Sequence, residues 1–300
     1  MAASYRDRAA PEYAGALAAV IAAALAEDLG AAGDLTSLAT VAAGATATGA
    51  FIARQAGVIA GLQAAQTVFA TVDAGVEFSP VVEDGARVER GAVLARVRGE
   101  ARALLIGERT ALNLLSHLSG VATMTAAFVD ELKGTGCMVR DTRKTLPGLR
   151  ALQKAAVVAG GGVNHRKGLW DGLLVKDNHA YAAGGVAEAT RRALAAANGQ
   201  DVQVEVDSVE QLEEALRAGA RSVLLDNFSP NDLHAAVACC RAQDESVFVE
   251  ASGGVTLASA WAIASTGVDA IAVGALTHSV TALDIALDFI PDLRGPEGGG

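Results

Sequence analysis

The pattern of apolar and polar residues changes near residue 120. Between Thr46 and Val97, short apolar runs are separated by Gly and Asp turns, which is typical of strands in a β-rich domain. Residues 11–29 and 62–72 have helical patterns, and from Gly107 to Lys133 apolar residues recur every three or four positions. We therefore predict a sheet packed on helices, followed by a long helix that Gly120 can bend or divide.

After Cys137, short runs rich in Val, Leu and Ile alternate with helical stretches rich in Ala and Leu. Apolar strands that alternate with helices are typical of a parallel sheet with helices on the outside. Six strands are convincing, fewer than the eight of a complete (β/α)8 barrel, so we predict an incomplete barrel. The predicted strands are 138–142, 173–177, 202–207, 222–227, 247–251 and 270–274, and the predicted helices include 209–218, 230–242 and 257–266.

These two patterns place the chain in the α/β class with two domains. We predict an N-terminal α+β sandwich domain over residues 1–120 and an α/β barrel catalytic domain over residues 121–280. Residues 281–300 are predicted to form a C-terminal helix and a disordered tail, because residues 294–300 are rich in Gly and lack apolar periodicity.

The composition suits this fold and argues against several classes of protein. Of the 300 residues, 51% are hydrophobic and only 4% are aromatic, so Ala, Val, Leu and Ile must build the core. The three cysteines are too few for a disulfide framework, which indicates a reducing cytoplasm. The apolar stretch at residues 14–25 is too short to span a bilayer and lacks the flanks of a signal peptide, so we expect no membrane association.

A cationic segment lies within an otherwise acidic protein. The whole chain has a net charge of −10, but residues 140–179 contain eight Lys or Arg residues and three Asp residues, an excess of five positive charges. A nucleic-acid ligand would require a net-basic face, which this chain does not offer. The segment therefore indicates a small polyanionic ligand.

Polar residues follow each predicted strand of the barrel. All strands of a parallel barrel end on one rim, so residues at these ends become neighbours in space. A solvated network of ion pairs explains any single charge equally well, whereas the whole set favours a binding site. The residues are Asp141, Arg143, Lys144, Lys176, Glu205, Asp207, Asp226, Ser252, Gly253, Gly254 and Gly274.

Two glycine-containing turns are candidates for binding phosphate. Ser252 to Thr256 places small residues between a strand and a helix, and Gly274 with Ala275 follows the next strand. Glycines allow backbone N–H groups to approach an anion, and a helix N-terminus adds partial positive charge. Either turn alone is weak evidence, since the chain contains 33 glycines.

Several motifs together resemble a known family. They are DTRKTLPGLR (141–150), GGGVNHR (160–166), KDNH (176–179), EVDS (205–208), LDNF (225–228), SGG (252–254) and VGALTH (273–278). In this order and spacing they are similar to the signature of the quinolinate phosphoribosyltransferases, also called nicotinate-nucleotide pyrophosphorylases (carboxylating). The resemblance covers nearly the whole chain and implies a β-rich sandwich domain followed by an atypical α/β barrel.

The resemblance also implies a reaction and its site. The family joins quinolinate to 5-phosphoribosyl 1-pyrophosphate, releases pyrophosphate and CO2, and forms nicotinate mononucleotide for NAD biosynthesis. Carried over by motif, the quinolinate ligands are Arg143, His165, Arg166 and Lys176, with Arg109 supplied by a partner subunit. The residues expected to bind the 5-phosphate are Ser252, Gly253, Gly254 and Gly274. Lys144 is expected to bind the pyrophosphate, with Lys176 as a second candidate. Glu205 and Asp226 are the carboxylates for the ribosyl centre, and Lys144 and Lys176 complete the catalytic set.

The cofactor and partners follow from the same resemblance. Glu205 and Asp226 are expected to hold Mg²⁺, directly or through water, and the chain to act in the cytoplasm as a homodimer with a shared site, with further assembly left open. Three rivals remain: a paralogue of unknown chemistry similar to a molybdenum-transport-associated protein, a nicotinate phosphoribosyltransferase, and a non-catalytic sensor of phosphorylated ligands. The KDNH motif argues against the first, the chain length and cation cluster against the second, and the two carboxylates against the third.

Overall fold

The computed structural model describes residues 10–290. These residues form two compact units, of which the first comprises residues up to 124, 146–161 and the segment from 279, and the second comprises residues 125–145 and 162–278. In chain order the elements are α1 (Ala10–Leu29), α2 (Leu35–Thr40), β1 (Thr46–Ala53), β2 (Gly57–Val58), α3 (Leu62–Val72), β3 (Glu77–Pro80), β4 (Arg87–Val88), β5 (Val93–Glu100), α4 (Ala101–Glu131), β6 (Met138–Arg140), α5 (Arg150–Ala159), β7 (Leu173–Val175), α6 (Asp177–Ala183), α7 (Val186–Ala196), β8 (Val202–Val206), α8 (Val209–Arg217), β9 (Ser222–Asp226), α9 (Pro230–Gln243), β10 (Phe248–Ser252), α10 (Leu257–Ala264), β11 (Ala270–Ala272), α11 (Ala275–His278) and β12 (Ile285–Ile290).

The first unit is built on an antiparallel sheet in the order β12-β1-β5-β3, with a separate pair formed by β2 and β4. Phe51 and Phe69 are fully buried in its core, and half-buried Phe78 packs against both, with ring centroids 5.7 to 6.1 Å apart within this cluster. Three of the few aromatic residues, from β1, α3 and β3, therefore pack together and contribute a large apolar area. The predicted α+β character of this part of the chain is confirmed.

The long helix α4 is unbroken, so Gly120 does not divide it. A Cβ atom at Gly120 would lie 2.3 Å from the carbonyl oxygen of Thr281. The glycine is needed because another backbone segment passes close to the helix. Among the described residues, α4 alone is long and apolar enough to cross a bilayer, but 61% of its most apolar window is buried inside the protein, as is usual for a core helix.

The predicted C-terminal helix is wrong, because residues 285–290 form strand β12. The strand pairs antiparallel with β1, with Phe51 opposite Leu287 and Ala53 opposite Ile285. Ile285 and Leu287 are buried, which is the alternation of a half-buried strand and not a helical pattern. The predicted tail beyond residue 290 lies outside the described residues.

The second unit contains a parallel six-stranded sheet in the order β6-β11-β10-β9-β8-β7. All six predicted strands are confirmed, as are the predicted helices that correspond to α8, α9 and α10. No ladder joins β6 to β7 in the described part of the chain, so the barrel is incomplete, as predicted.

Side-chain caps start the helices that follow three of these strands. Ser208, Ser229 and Thr256 each accept a hydrogen bond from a backbone N–H in the first turn of α8, α9 and α10, respectively. Such caps satisfy donors that the helix cannot satisfy itself. The chain thus leaves each strand through a short polar turn, and these turns lie along the same edge of the sheet.

Candidate active site

A cavity of about 240 Å³ lies at the C-terminal ends of the parallel strands in the second unit. Its polar lining comes from segments that are far apart in the sequence, as expected for the rim of a barrel. The lining residues are Thr142, Arg143, Lys144, His165, Arg166, Leu174, Lys176, Glu205, Leu224, Asp226, Ser252 and Ala272. Eight of the residues predicted from sequence are among them: Arg143, Lys144, His165, Arg166, Lys176, Glu205, Asp226 and Ser252.

The guanidinium groups of buried Arg166 and half-buried Arg143 form the cationic part of this cavity. Arg166 is only 8% exposed, and its Nη1 donates to the carbonyl oxygen of Gly172 at 2.9 Å. Its Nε atom is buried and has no hydrogen-bond partner among the described residues. Burial lowers the pKa of Arg166 from its usual value and nearby Arg143 adds to this, while Asp171 and Glu205 oppose it. An anionic ligand would offset both the burial and the repulsion.

Lys144 is placed by a tight turn and a buried threonine. Its backbone N–H donates to Thr142 Oγ1 at 3.0 Å, and its carbonyl oxygen accepts from Thr277 Oγ1 at 2.8 Å. A Cβ atom at Gly274 would lie 3.1 Å from both Lys144 Cδ and His278 Nε2. Gly274 therefore leaves room for the lysine side chain, which is exposed toward the rim.

The acidic part of the cavity lies on neighbouring strands. Glu205 on β8 forms an ion pair with Lys176, which follows β7. Asp226 ends β9 and accepts from the side-chain amide of Asn227 at 2.8 Å. Adjacent parallel strands thus bring two carboxylates and a lysine together at one edge, as period-two geometry predicts for Glu205.

The turn after β10 packs tightly against the turn after β9. Gly253 has φ of +97°, and a Cβ atom there would lie 2.1 Å from Asn227 Oδ1 and 2.8 Å from the Asn227 backbone nitrogen. The Asn227 N–H donates to the Ser252 carbonyl oxygen at 2.9 Å. Glycine at 253 is thus required both for its backbone angle and for this close approach.

Comparison with known proteins identifies the family. The sequence model of the quinolinate phosphoribosyl transferase N-terminal domain matches residues 34–119, and that of its C-terminal domain matches residues 121–288. The chain belongs to the quinolinate phosphoribosyltransferase family. The resemblance proposed from the sequence motifs is confirmed.

Individual relatives support this assignment. The nicotinate-nucleotide pyrophosphorylase (carboxylating) of Mycobacterium leprae is 51% identical over 269 residues, which cover 89% of this chain and 94% of that protein. A probable nicotinate-nucleotide pyrophosphorylase (carboxylating) of Bacillus subtilis is 43% identical over 264 residues, 87% of this chain and 89% of that protein. The solved structure of the nicotinate-nucleotide pyrophosphorylase from Francisella tularensis has a TM-score of 0.87 and 37% identity, with 92% of this chain and 96% of that chain covered.

A buried polar network that the sequence analysis did not predict lies beneath the cavity. His165 Nε2 lies 2.8 Å from Gln203 Oε1, and Gln203 Nε2 donates to Glu250 at 2.7 Å. Arg140 also donates to Glu250, at 2.8 Å, and the Asp141 carboxylate accepts from the His165 N–H at 2.8 Å. The available signal was strand periodicity, because Gln203 and Glu250 each stand two positions before a predicted site residue on a buried strand.

Other residues singled out from the sequence lie elsewhere. Arg109 is exposed on α4 in the first unit, and its contribution to a partner's site stays a prediction. Gly254 has φ of +57° and open space around it, so the phosphate role of the glycine turns also stays a prediction. Asp207 is exposed and lines a neighbouring acidic cavity of about 610 Å³. Glu205 and Asp226 line both this cavity and the candidate site.

His179 has a structural role. Its Nδ1 accepts from the Lys176 N–H at 3.0 Å and so caps the N-terminus of α6. This cap fixes the backbone at Lys176, immediately after strand β7, and so helps to position the lysine side chain that lines the cavity.

The carboxylates fit magnesium only as part of a shared coordination sphere. The described residues contain no group of three His, Cys, Asp or Glu side chains that could hold a metal ion. Glu205 and Asp226 offer two hard oxygen donors beside one cavity. Mg²⁺ commonly keeps several waters and binds one or two carboxylates together with phosphate oxygens, so this pair fits that mode and not an all-protein cage.

Proposed function

We propose that this chain transfers the phosphoribosyl group of 5-phosphoribosyl 1-pyrophosphate to quinolinate with decarboxylation. The products are nicotinate mononucleotide, pyrophosphate and CO2, and the reaction serves de novo NAD biosynthesis. One observation carries the proposal: a single cavity combines two guanidinium groups, two lysines and two carboxylates drawn from separate strand ends. Such a combination suits a dicarboxylate acceptor together with a phosphorylated sugar donor.

Arg143 and Arg166 are the proposed anchors for quinolinate. A guanidinium group can hold a carboxylate through two parallel hydrogen bonds, and two such groups match a dicarboxylate. The buried Nε of Arg166 is one donor available for this purpose. Nicotinate, with a single carboxylate, would leave one of the two cations uncompensated, which gives selectivity between the acceptors.

Lys144 is proposed to bind the pyrophosphate, and Ser252 with the adjacent glycines to bind the 5-phosphate. Lysine offers a compact charge with three donors, which suits a phosphate group at the exposed rim. Gly274 lies against the Lys144 side chain, which would keep the two phosphate-binding regions close together. Lys176 is already paired with Glu205, so it is suited to respond when a ligand changes the local charge.

Glu205 and Asp226 are proposed to stabilise the ribosyl centre. When the bond between C1 of ribose and the pyrophosphate breaks, the electron pair leaves with pyrophosphate and positive charge develops on the sugar. Carboxylates fixed beside the cavity favour that charge electrostatically. Bound Mg²⁺ would supply charge neutralisation to the leaving pyrophosphate, held by Glu205 and Asp226 directly or through water.

Decarboxylation requires no further protein nucleophile in this proposal. Attack by the ring nitrogen of quinolinate makes the ring cationic, and loss of the neighbouring carboxylate as CO2 leaves an electron pair that this charge stabilises. A proton then takes the place of the carboxylate. His165 acts as a positioning group, because hydrogen bonds engage both of its ring nitrogens.

The proposed assembly is a cytoplasmic homodimer in which Arg109 of one subunit completes the site of the other. Arg109 is exposed and thus able to reach a ligand held elsewhere. Sedimentation of the purified chain, with mixing of an Arg109→Ala variant and an inactive Lys176→Ala variant, tests this directly. Recovery of activity on mixing supports a shared site, and its absence from a mixed dimer opposes one.

The reaction itself is tested with purified protein, both substrates and Mg²⁺, by following the loss of quinolinate and the release of CO2. We expect Arg143→Ala and Lys176→Ala to suppress turnover. Nicotinate in place of quinolinate serves as the control acceptor. Turnover of nicotinate alone would support the nicotinate phosphoribosyltransferase rival, binding without turnover would support a sensor, and unchanged activity in both variants would refute the site assignment.

A further inference from the structure

A buried glutamine connects the site to a charged pair in the barrel interior. Gln203 lies on β8 and is 7% exposed. Its Oε1 lies 2.8 Å from His165 Nε2, and its Nε2 lies 2.7 Å from the Glu250 carboxylate. Glu250 is fully buried and also accepts from Arg140 at 2.8 Å. The glutamine is therefore hydrogen-bonded both to an imidazole ring and to a carboxylate whose charge Arg140 balances.

The chemistry of these groups sets the direction of each hydrogen bond. A carboxylate only accepts, so the Gln203 side-chain nitrogen must face Glu250 and its oxygen must face His165. His165 Nε2 must then carry a hydrogen. On the other side of the ring, Nδ1 accepts from the Arg166 N–H at 2.8 Å, so it carries none. These two contacts define the neutral tautomer with the proton on Nε2.

We propose that Gln203 is a positioning residue that holds His165 in this neutral tautomer and, through it, holds the backbone of Arg166. Glu250 Oε2 lies 3.7 Å from His165 Nε2, close enough for a direct carboxylate contact to favour a second proton on the ring. The uncharged Gln203 amide bridges the two groups from the side, through one hydrogen bond to each. Further charged neighbours include Asp141, which accepts from the His165 N–H, and Arg140 on Glu250.

The consequence for the site concerns the placement of Arg166. Its guanidinium is proposed above to bind quinolinate, and its backbone N–H is fixed by the His165 ring. If Gln203 releases the ring, Arg166 loses that support while its charge is unchanged. This consequence rests on the proposed function, whereas the tautomer of His165 does not.

The same chain contains a second glutamine and histidine pair, with a half-buried histidine and the opposite arrangement. In the first unit, Gln153 is fully buried, its oxygen accepts from the Leu146 N–H at 3.0 Å, and its nitrogen lies 2.9 Å from His117 Nε2. The amide nitrogen can only donate, so His117 Nε2 accepts and the ring proton belongs on Nδ1. Burial lowers the pKa of His117, which agrees with a neutral ring.

Long-range ¹H–¹⁵N NMR of the ring nitrogens tests the proposal without reference to activity. The chain has five histidines, and His165→Asn and His117→Asn variants assign the two sets of signals. We expect the Nε2–H tautomer for His165 and the Nδ1–H tautomer for His117 in the unmodified chain at neutral pH. An imidazolium or an Nδ1–H tautomer at His165 would overturn the proposal, and the tautomers themselves are read from the unmodified chain.

Variants then separate positioning from simple packing. In Gln203→Glu we expect His165 to become doubly protonated near neutral pH, and in Gln203→Met we expect its single tautomer to be lost. Gln153→Met is the matched control, which should alter the His117 signals and leave those of His165 unchanged. Unchanged His165 signals in both Gln203 variants would refute the assignment.

Steady-state kinetics examine the link to catalysis. Gln203→Met should raise KM for quinolinate about tenfold, the effect of one lost orienting hydrogen bond, with a smaller change in kcat. An altered His165 tautomer with an unchanged KM for quinolinate would overturn the positioning of Arg166. Absence of quinolinate turnover in the unmodified chain would instead refute the proposed function, while the NMR result would stand.

Discussion

Replacing Arg166 by lysine is the sharpest test of the proposed quinolinate subsite. The substitution keeps one positive charge but removes the fork of donors, including the buried Nε that lacks a partner among the described residues. In the free protein the loss is small, because burial and Arg143 already disfavour the charge and only the bond to Gly172 is broken. The defect should therefore be confined to ligand binding.

The expected magnitude follows from one missing hydrogen bond to a charged group. Such a bond contributes about 1.5–3 kcal/mol, which corresponds to an affinity loss of about 10- to 150-fold. At a ligand concentration of about 100 times the Kd, the original protein gains about 2.7 kcal/mol of stability from binding. A variant with about 100-fold weaker binding gains only about 0.4 kcal/mol at the same concentration.

Thermal unfolding with and without quinolinate measures both effects. We expect similar Tm values for the two proteins without ligand, and a ligand-induced increase in Tm that is nearly lost in Arg166→Lys. Arg217→Lys is the matched control, since Arg217 pairs with Glu213 on the surface of α8 and is 67% exposed. An undiminished ligand-induced shift in Arg166→Lys would refute the role of Arg166.

Three further predictions address the carboxylates, the glycine turn and the long helix. Glu205→Gln should lower kcat about 100-fold or more through lost electrostatic stabilisation, and a variant with normal kcat in the quinolinate assay would contradict that role. Gly253→Ala should cost about 1–3 kcal/mol in urea unfolding because of its positive φ and the close approach of Asn227; unaltered stability would show that the turn can relax. Burial raises the pKa of Glu108, so the folded state retains its proton to higher pH than the unfolded chain, and stability falls as pH rises through the unfolded and then the folded pKa. Glu108→Gln should therefore be more stable than the original in urea unfolding at pH 7 and equal to it below both pKa values, and a difference in stability that does not change with pH would contradict this cause.

The elements of the second unit could be predicted because local signals there agree with the tertiary structure. Apolar runs of strand length alternate with helices that begin at Ser or Thr caps, such as Ser208 and Ser229. Parallel strands then place their ends on one rim without further information. For this reason eight predicted site residues line one cavity.

The errors arose where distant contacts decide the outcome. Gly120 weakens a helix locally, but here it permits a close backbone approach by Thr281. Residues 285–290 form a strand because β1 offers an edge more than 200 positions earlier, with Phe51 opposite Leu287. Helix α5 belongs to the first unit although it lies between two strands of the second, which no local pattern reports.

The buried network of Gln203 and Glu250, which the sequence analysis did not predict, forms a layer beneath the residues that line the cavity. On β8, Gln203 is buried and Glu205 reaches the cavity, and on β10, Glu250 is buried and Ser252 reaches it. Each pair is two positions apart, so both members point to the same face of their strand, at successive depths. Substituting the upper residue removes a group that faces the ligand, whereas substituting the lower one changes the orientation of groups such as His165. The two layers should therefore be distinguishable by experiment, with loss of kcat from the upper layer and altered His165 signals with a raised KM from the lower.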